Sequence, residues 1–130
     1  MMKRYDPQKA PDPEAWLSLD EATRINLIMD YHSAAEKDTP GDHLHAVVHT
    51  VIENQIALGD EYPVKSTIER LMDEGLDRHD AIHAVGSVLI KHLWKVGKKE
   101  VTEGFSDDYF EEVRQLTAQQ WMEEFGAKDF

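Results

Sequence analysis

The sequence contains no cysteine, few basic residues and no long hydrophobic run, and each absence excludes a class of protein. Without cysteine, the chain has no disulfide scaffold, no cysteine-ligated zinc or iron–sulfur centre and no thiol nucleophile. Because 14 Lys and Arg stand against 26 Asp and Glu, the net charge is −12, and we expect no binding to nucleic acid. No apolar run approaches the roughly 20 residues of a membrane span, so we expect no membrane partner.

The composition is that of an ordinary globular domain. Of the 130 residues, 41% are hydrophobic and 31% are charged, and this length suffices for one hydrophobic core. The first residues contain no apolar core of the kind found in a signal peptide. We therefore expect a soluble protein of the bacterial cytoplasm.

Hydrophobic periodicity predicts helices and no strand. We expect residues 1–12, which are interrupted by Asp-Pro steps, to form an extended arm, and residues 13–126 to form one helical domain. After a short first turn at Pro13, five main helices are predicted over 18–35, 43–58, 63–74, 78–96 and 106–125. Ser18 and Glu21 have the spacing of a capping box, and Gly59 and Gly75 end two of the helices. The predicted fold class is all-α, a single compact domain that is bundle-like or orthogonally packed.

Two of these helices carry histidine on faces that should be buried. In the helix over 43–58, His45, His49 and Glu53 are spaced four residues apart and form a stripe beside an almost continuous apolar surface. In the helix over 78–96, His79 and His83 fall within the apolar arc itself. Chance placement of seven histidines predicts fewer than one pair at this spacing, and the sequence has two.

A bound metal would offset the free-energy cost of burying these side chains. Left without partners, the four histidines and Glu53 would cost on the order of 5–10 kcal/mol, which is comparable with the stability of a whole domain. Imidazole and carboxylate ligands suit Zn, Fe, Mn or Ni. We therefore predict a divalent transition-metal site formed by His45, His49, Glu53, His79 and His83. Glu53 would be either a ligand or the acceptor that fixes a histidine tautomer. The metal-free alternative is an interaction module with a buried His/Glu hydrogen-bond network.

The pattern HDxxH at residues 79–83 also resembles an enzyme motif. It differs from the zinc-protease motif HExxH by one methylene, and the shorter acid favours metal binding over hydrolysis. A metal-dependent hydrolase stays an alternative, with Asp80 or Glu53 as the general base on metal-bound water.

A His-Asp phosphohydrolase is a second enzymatic alternative. It would use His79-Asp80 as the doublet, with His45 or His49 upstream. The only downstream candidates for its further aspartate are Asp107 and Asp108, and neither has an apolar setting.

Other conspicuous side chains have plainer interpretations. His32, His43 and His92 lie at the edges of apolar arcs, where His43 or His92 could act as a supplementary ligand. The core is expected to contain Trp16, Trp94 and Trp121. The last helix, 107–125, has Phe110, Trp121 and Phe125 on one face, which would either cap its own domain or form a homo-oligomer.

The two histidine motifs together resemble a known family pattern. The stretch from Leu44 to Leu93 carries an H-x3-H-x3-E helix followed by an H-[DE]-x-x-H helix. This arrangement resembles a group of small uncharacterised bacterial proteins, a domain-of-unknown-function class, over about fifty of the 130 residues. The resemblance implies that His45, His49, Glu53, His79 and His83 occur as a set, and it implies no activity.

Overall fold

The computed structural model describes residues 4–35, 42–97 and 105–125, and these ranges are helical with no strand. The predicted all-α class is therefore confirmed. The described helices, in chain order, are α1 (Pro13–Ser18), α2 (Glu21–Ala35), α3 (Asp42–Ala57), α4 (Val64–Asp73), α5 (Arg78–Gly97), α6 (Phe105–Gln115) and α7 (Ala118–Phe125). A 3-10 turn, Gly59–Glu61, follows α3.

The region predicted as one final helix is two helices, so the number of helices was underestimated. The helix is interrupted between Gln115 and Ala118. There the Thr117 hydroxyl accepts a hydrogen bond from the Gln120 backbone N–H and caps α7. The Ala118 N–H donates to the Glu74 carboxylate at 2.8 Å instead of continuing the helix. A side chain from α4's C-terminal end thus replaces the helical hydrogen bond, and the local sequence pattern could not show this.

The start of α2 also differs from the prediction. Ser18 does not cap α2, because its hydroxyl donates to the Ala15 carbonyl at the end of α1. Asp20 takes that role and accepts from the Thr23 backbone N–H at 2.8 Å. Serine and aspartate are equally good capping residues, so composition alone could not distinguish the two positions.

Helices α3 and α5 form the centre of the molecule. Helix α5 packs against α3, α4, α6 and α7, and α3 also packs against α1 and α2. Every residue from Ala81 to Leu89 is buried. Glycines at positive φ, Gly59 at 66° and Gly75 at 111°, follow α3 and α4 and turn the chain so that α5 returns along α3. The two histidine-bearing helices are therefore neighbours.

One predicted core residue is on the surface. Trp94 is 65% exposed, and the nearby Leu93, like Leu44 on α3, is about half exposed. Leu44 lies near the N-terminal end of α3, and Leu93 and Trp94 lie near the C-terminal end of α5. Trp16 and Trp121 are buried as predicted.

The C-terminal helices contribute to the domain's own core. Val113, Leu116 and Trp121 are buried against α4 and α5, and Phe110 packs on the same cluster. The side chain of Phe125 lies outside the described residues. The predicted face thus covers its own domain, and a homo-oligomer through 107–125 stays a prediction.

The N-terminal segment is anchored to the helices. Tyr5 and Pro7 are buried, and Tyr5 packs in a second hydrophobic cluster with Trp16, Ile28 and Ala46. Among the described residues, no helix is long and apolar enough to cross a membrane. The cytoplasmic location stays a prediction.

Candidate metal site

The four predicted histidine ligands lie together between α3 and α5. The rings of His79 and His83 have centroids 4.3 Å apart, and the His45 and His83 rings are 5.0 Å apart. His49 stacks on His79 at 5.4 Å with an interplanar angle of 2°. It also lies 5.6 Å from His83 and 5.9 Å from His45. The i,i+4 pairs thus face each other across the helix interface, as their positions on the two faces predicted.

Three of these side chains bring nitrogen atoms especially close. His45, His49 and His83 each offer one ring nitrogen, and these three atoms lie within 4.8 Å of one another. His49 is fully buried and His83 is 3% exposed, whereas His45 and His79 are partly exposed. The cluster therefore has a closed inner side and an edge that solvent can reach.

Glu53, one turn beyond His49 on α3, is held by a buried arginine. The Arg78 guanidinium donates from both terminal nitrogens to the two Glu53 carboxylate oxygens at 2.8 Å each. Arg78 also donates to the Pro7 carbonyl at 2.9 Å. Charge-assisted, two-point contacts of this kind are the strongest hydrogen bonds in proteins. They fix Glu53 and tie the N-terminal segment to α5.

Tyr5 connects this ion pair to the histidines. Its hydroxyl donates to Glu53 Oε2 and contacts His49 Nε2 at 3.0 Å. Burial raises the pKa of Tyr5 well above its ordinary value of 10.0, and the Glu53 carboxylate raises it further, so the hydroxyl keeps its proton. The Tyr5 ring also packs edge-on against His49 and Tyr31.

The other candidate residues are placed differently. Asp80, a candidate general base, lies in the first turn of α5, and its backbone N–H donates to the capping carboxylate of Asp77. The aspartates considered for a phosphohydrolase, Asp107 and Asp108, are exposed in the first turn of α6.

The two supplementary histidines lie apart from these contacts. His43 is exposed. His92 is buried and pairs with Glu112 at 3.0 Å. The side chain of His32 lies outside the described residues.

Sequence reasoning missed Tyr5 and Arg78. One signal for Arg78 was available: a cation in the first turn of a helix opposes the helix dipole, so an arginine there indicates a specific acceptor. Tyr5 gave a weaker signal, as an aromatic residue in an otherwise polar arm. Their partners lie 25 to 71 residues away, which no local pattern reveals.

Comparison with known proteins identifies the family. No curated protein and no solved structure matched the chain. The family model described as "Domain of unknown function (DUF1841)" matches residues 10–124, which include α1 to α6, most of α7 and all four clustered histidines. Since the match covers most of the sequence, the chain belongs to the DUF1841 family.

Proposed function

We propose that this domain binds one divalent transition-metal ion between α3 and α5, with His45, His49 and His83 as ligands. The observation that carries the proposal is the convergence of one nitrogen from each side chain within 4.8 Å. Around a tetrahedral ion with bonds of 2.0–2.1 Å, neighbouring nitrogens lie about 3.3 Å apart. Side-chain rotations that bring the nitrogens closer by roughly 1.5 Å would therefore close the site, without movement of the helices.

His79 is the fourth ligand in this proposal. Its ring lies 4.3 Å from the ring of His83 and stacks on His49, so it is next to two of the three converging side chains. A set of four imidazoles suits Zn, Ni or Fe better than a hard cation such as Mg or Ca, which prefers oxygen. Mn is the least favoured of the four predicted metals, since the ligands that converge among the described residues are nitrogens.

In this proposal Glu53 has the second of its two predicted roles, that of a hydrogen-bond acceptor that helps to fix a histidine ligand. Both of its oxygens accept from Arg78, and one also accepts from Tyr5. Because both Glu53 oxygens already accept hydrogen bonds, these contacts favour a role for Glu53 in orienting a ligand over direct coordination of the metal. They also disfavour Glu53 as a general base on metal-bound water, because its oxygens already have strong donors. We therefore propose metal binding as the function of the site, with Glu53 in a supporting role.

The test is metal analysis of the untagged protein, followed by titration with Zn²⁺ and Ni²⁺ after chelation. We expect one ion per chain and an increase in stability of about 2.7 kcal/mol at a free-metal concentration 100 times Kd. The double variant His45→Ala/His83→Ala should lose stoichiometric binding. His43→Ala is the matched control, because it removes an exposed histidine two residues from His45 on the same helix and should bind as the wild type does.

Two results would refute the proposal. One is a wild-type chain that holds no stoichiometric metal and gains no stability from added Zn²⁺, Ni²⁺, Fe²⁺ or Mn²⁺. The other is a double variant that binds as tightly as the His43→Ala control. Either result would favour the metal-free alternative, in which the buried side chains form a hydrogen-bonded network.

A further inference from the structure

A chain of buried hydrogen bonds runs from α5 to the histidine cluster. Arg78 donates to both oxygens of Glu53, Glu53 accepts the hydroxyl proton of Tyr5, and the Tyr5 oxygen contacts Nε2 of His49. Glu53 and Arg78 are 1% and 5% exposed, so bulk water does not compete for these contacts. The direction of each bond can therefore be assigned from the protons available.

The proton count fixes the tautomer of His49. A guanidinium has only donors, so the Glu53 carboxylate accepts from Arg78, and it accepts again from Tyr5. The Tyr5 hydroxyl has a single proton, which it gives to Glu53. Its oxygen can then only accept from His49, and the donor in that 3.0 Å contact is the imidazole Nε2–H. In a neutral imidazole with its proton on Nε2, the lone pair is on Nδ1.

We propose that Tyr5 is a positioning residue for the metal site, holding His49 as the Nε2–H tautomer so that Nδ1 is its ligand atom. The inference rests on the proposed function and deepens it. Metal-bound histidines generally donate their second ring N–H to a carboxylate, a carbonyl or water, which orients the ring and makes the ligand nitrogen more basic. Here a tyrosine lies between the imidazole and the carboxylate, and Arg78, which can only donate, sets the direction of every hydrogen bond in the series.

This arrangement makes the N-terminal segment part of the site. Tyr5 precedes residues 10–124, which match the family model, and it reaches His49 and Glu53 across 44 and 48 residues of sequence. The Pro7 carbonyl accepts from Arg78, so the same guanidinium holds both the segment and Glu53. Metal affinity should therefore depend on a side chain outside the region matched by the family model.

The test compares Tyr5→Phe with Tyr109→Phe. Both changes remove one buried tyrosine hydroxyl, but Tyr109 donates to Gln55 at 2.8 Å and serves as the matched control. Zn²⁺ affinity is measured by chelator competition, and the tautomer of His49 is read from imidazole ¹⁵N shifts in the metal-free protein. We expect Tyr5→Phe to weaken Zn²⁺ binding 10- to 100-fold and to abolish the fixed Nε2–H signature. Tyr109→Phe should retain the wild-type affinity and the wild-type spectrum.

The outcomes separate this inference from the proposed function. If the wild type binds Zn²⁺ but Tyr5→Phe binds within about twofold of it, the positioning role is wrong while the metal site stands. If His49 is protonated on Nδ1 in the metal-free wild type, the assigned bond directions are wrong, whatever binds there. If the wild type binds no metal at all, the proposed function fails and the ligand role of Nδ1 fails with it. A fixed Nε2–H signature that is lost in Tyr5→Phe would then support the tautomer assignment alone.

Discussion

Replacing Arg78 with methionine tests how strongly the buried ion pair supports the site. The change removes two hydrogen bonds to Glu53 and one to the Pro7 carbonyl, while methionine keeps most of the side-chain volume. It leaves a carboxylate that is 1% exposed without its cation. Breaking a buried pair in this way costs about 3–5 kcal/mol, because the remaining charge is neither hydrated nor paired. We expect Arg78→Met to lower the free energy of unfolding by that amount.

The assay is urea denaturation in the presence of a chelator, so that metal binding does not contribute. Arg114→Met is the matched control, since Arg114 pairs with Glu111 at 3.2 Å on the surface and both side chains are more than half exposed. Such surface pairs contribute about 0–1 kcal/mol. The control should therefore unfold close to the wild-type midpoint.

A double variant separates charge burial from lost packing. Glu53→Gln combined with Arg78→Met removes both charges and leaves a neutral amide of nearly the same shape, so it should be less destabilised than Arg78→Met alone. An unfolding cost of Arg78→Met no larger than that of Arg114→Met would show that the buried pair is not important for stability. A double variant at least as unstable as Arg78→Met would show that the isolated carboxylate is not the cause of the destabilisation.

Two further predictions concern the C-terminal helices. Thr117→Ala removes the hydroxyl that caps α7 and should cost about 1 kcal/mol of unfolding free energy in urea, whereas Thr117→Ser should retain the wild-type value; equal stability of the two variants would contradict the capping role. The pKa of Glu74 lies below its ordinary value of 4.5, chiefly because its carboxylate accepts from the Ala118 N–H. The ionised Glu74 carboxylate therefore contributes fully to the free energy of unfolding above pH 4.5, and this contribution is lost as the pH falls through the lowered pKa. Glu74→Gln should flatten the acid side of the plot of unfolding free energy against pH, and an unchanged plot would contradict this.

The sequence predicts the helical class well because the relevant information is local. Periodicity, prolines and glycines depend on neighbouring residues, and Gly75 does adopt the positive φ expected after α4. The errors arise where a distant residue decides the local structure. Glu74 accepts from the Ala118 N–H and so helps divide the predicted last helix, and Trp94, which was predicted in the core, is 65% exposed near the C-terminal end of α5.

The residues of the candidate site also fall into those that a local pattern predicts and those that depend on distant partners. Two i,i+4 histidine pairs on apolar faces were sufficient to place four imidazoles between two helices, because any helix pair buries its apolar faces against each other. The residues behind the site could not be found in this manner. Tyr5 lies in a segment without periodicity, and the only sign of Arg78's partner was its unfavourable position at a helix N-terminus.

The partners of Glu53 reduce the free-energy cost that a metal would have to offset. From the sequence, Glu53 is one of five buried polar groups without an evident partner, and a carboxylate has the largest free-energy cost of burial among them. In the structure, Arg78 neutralises Glu53 and Tyr5 donates a hydrogen bond to it. These protein contacts compensate the burial of the carboxylate without a metal. The proposed metal is therefore not needed to offset the burial of Glu53, and its support is the convergence of the imidazole nitrogens. Leucines at the buried positions of His49 and His83 would bury more apolar surface between the helices, and the proposed ion would account for histidines there.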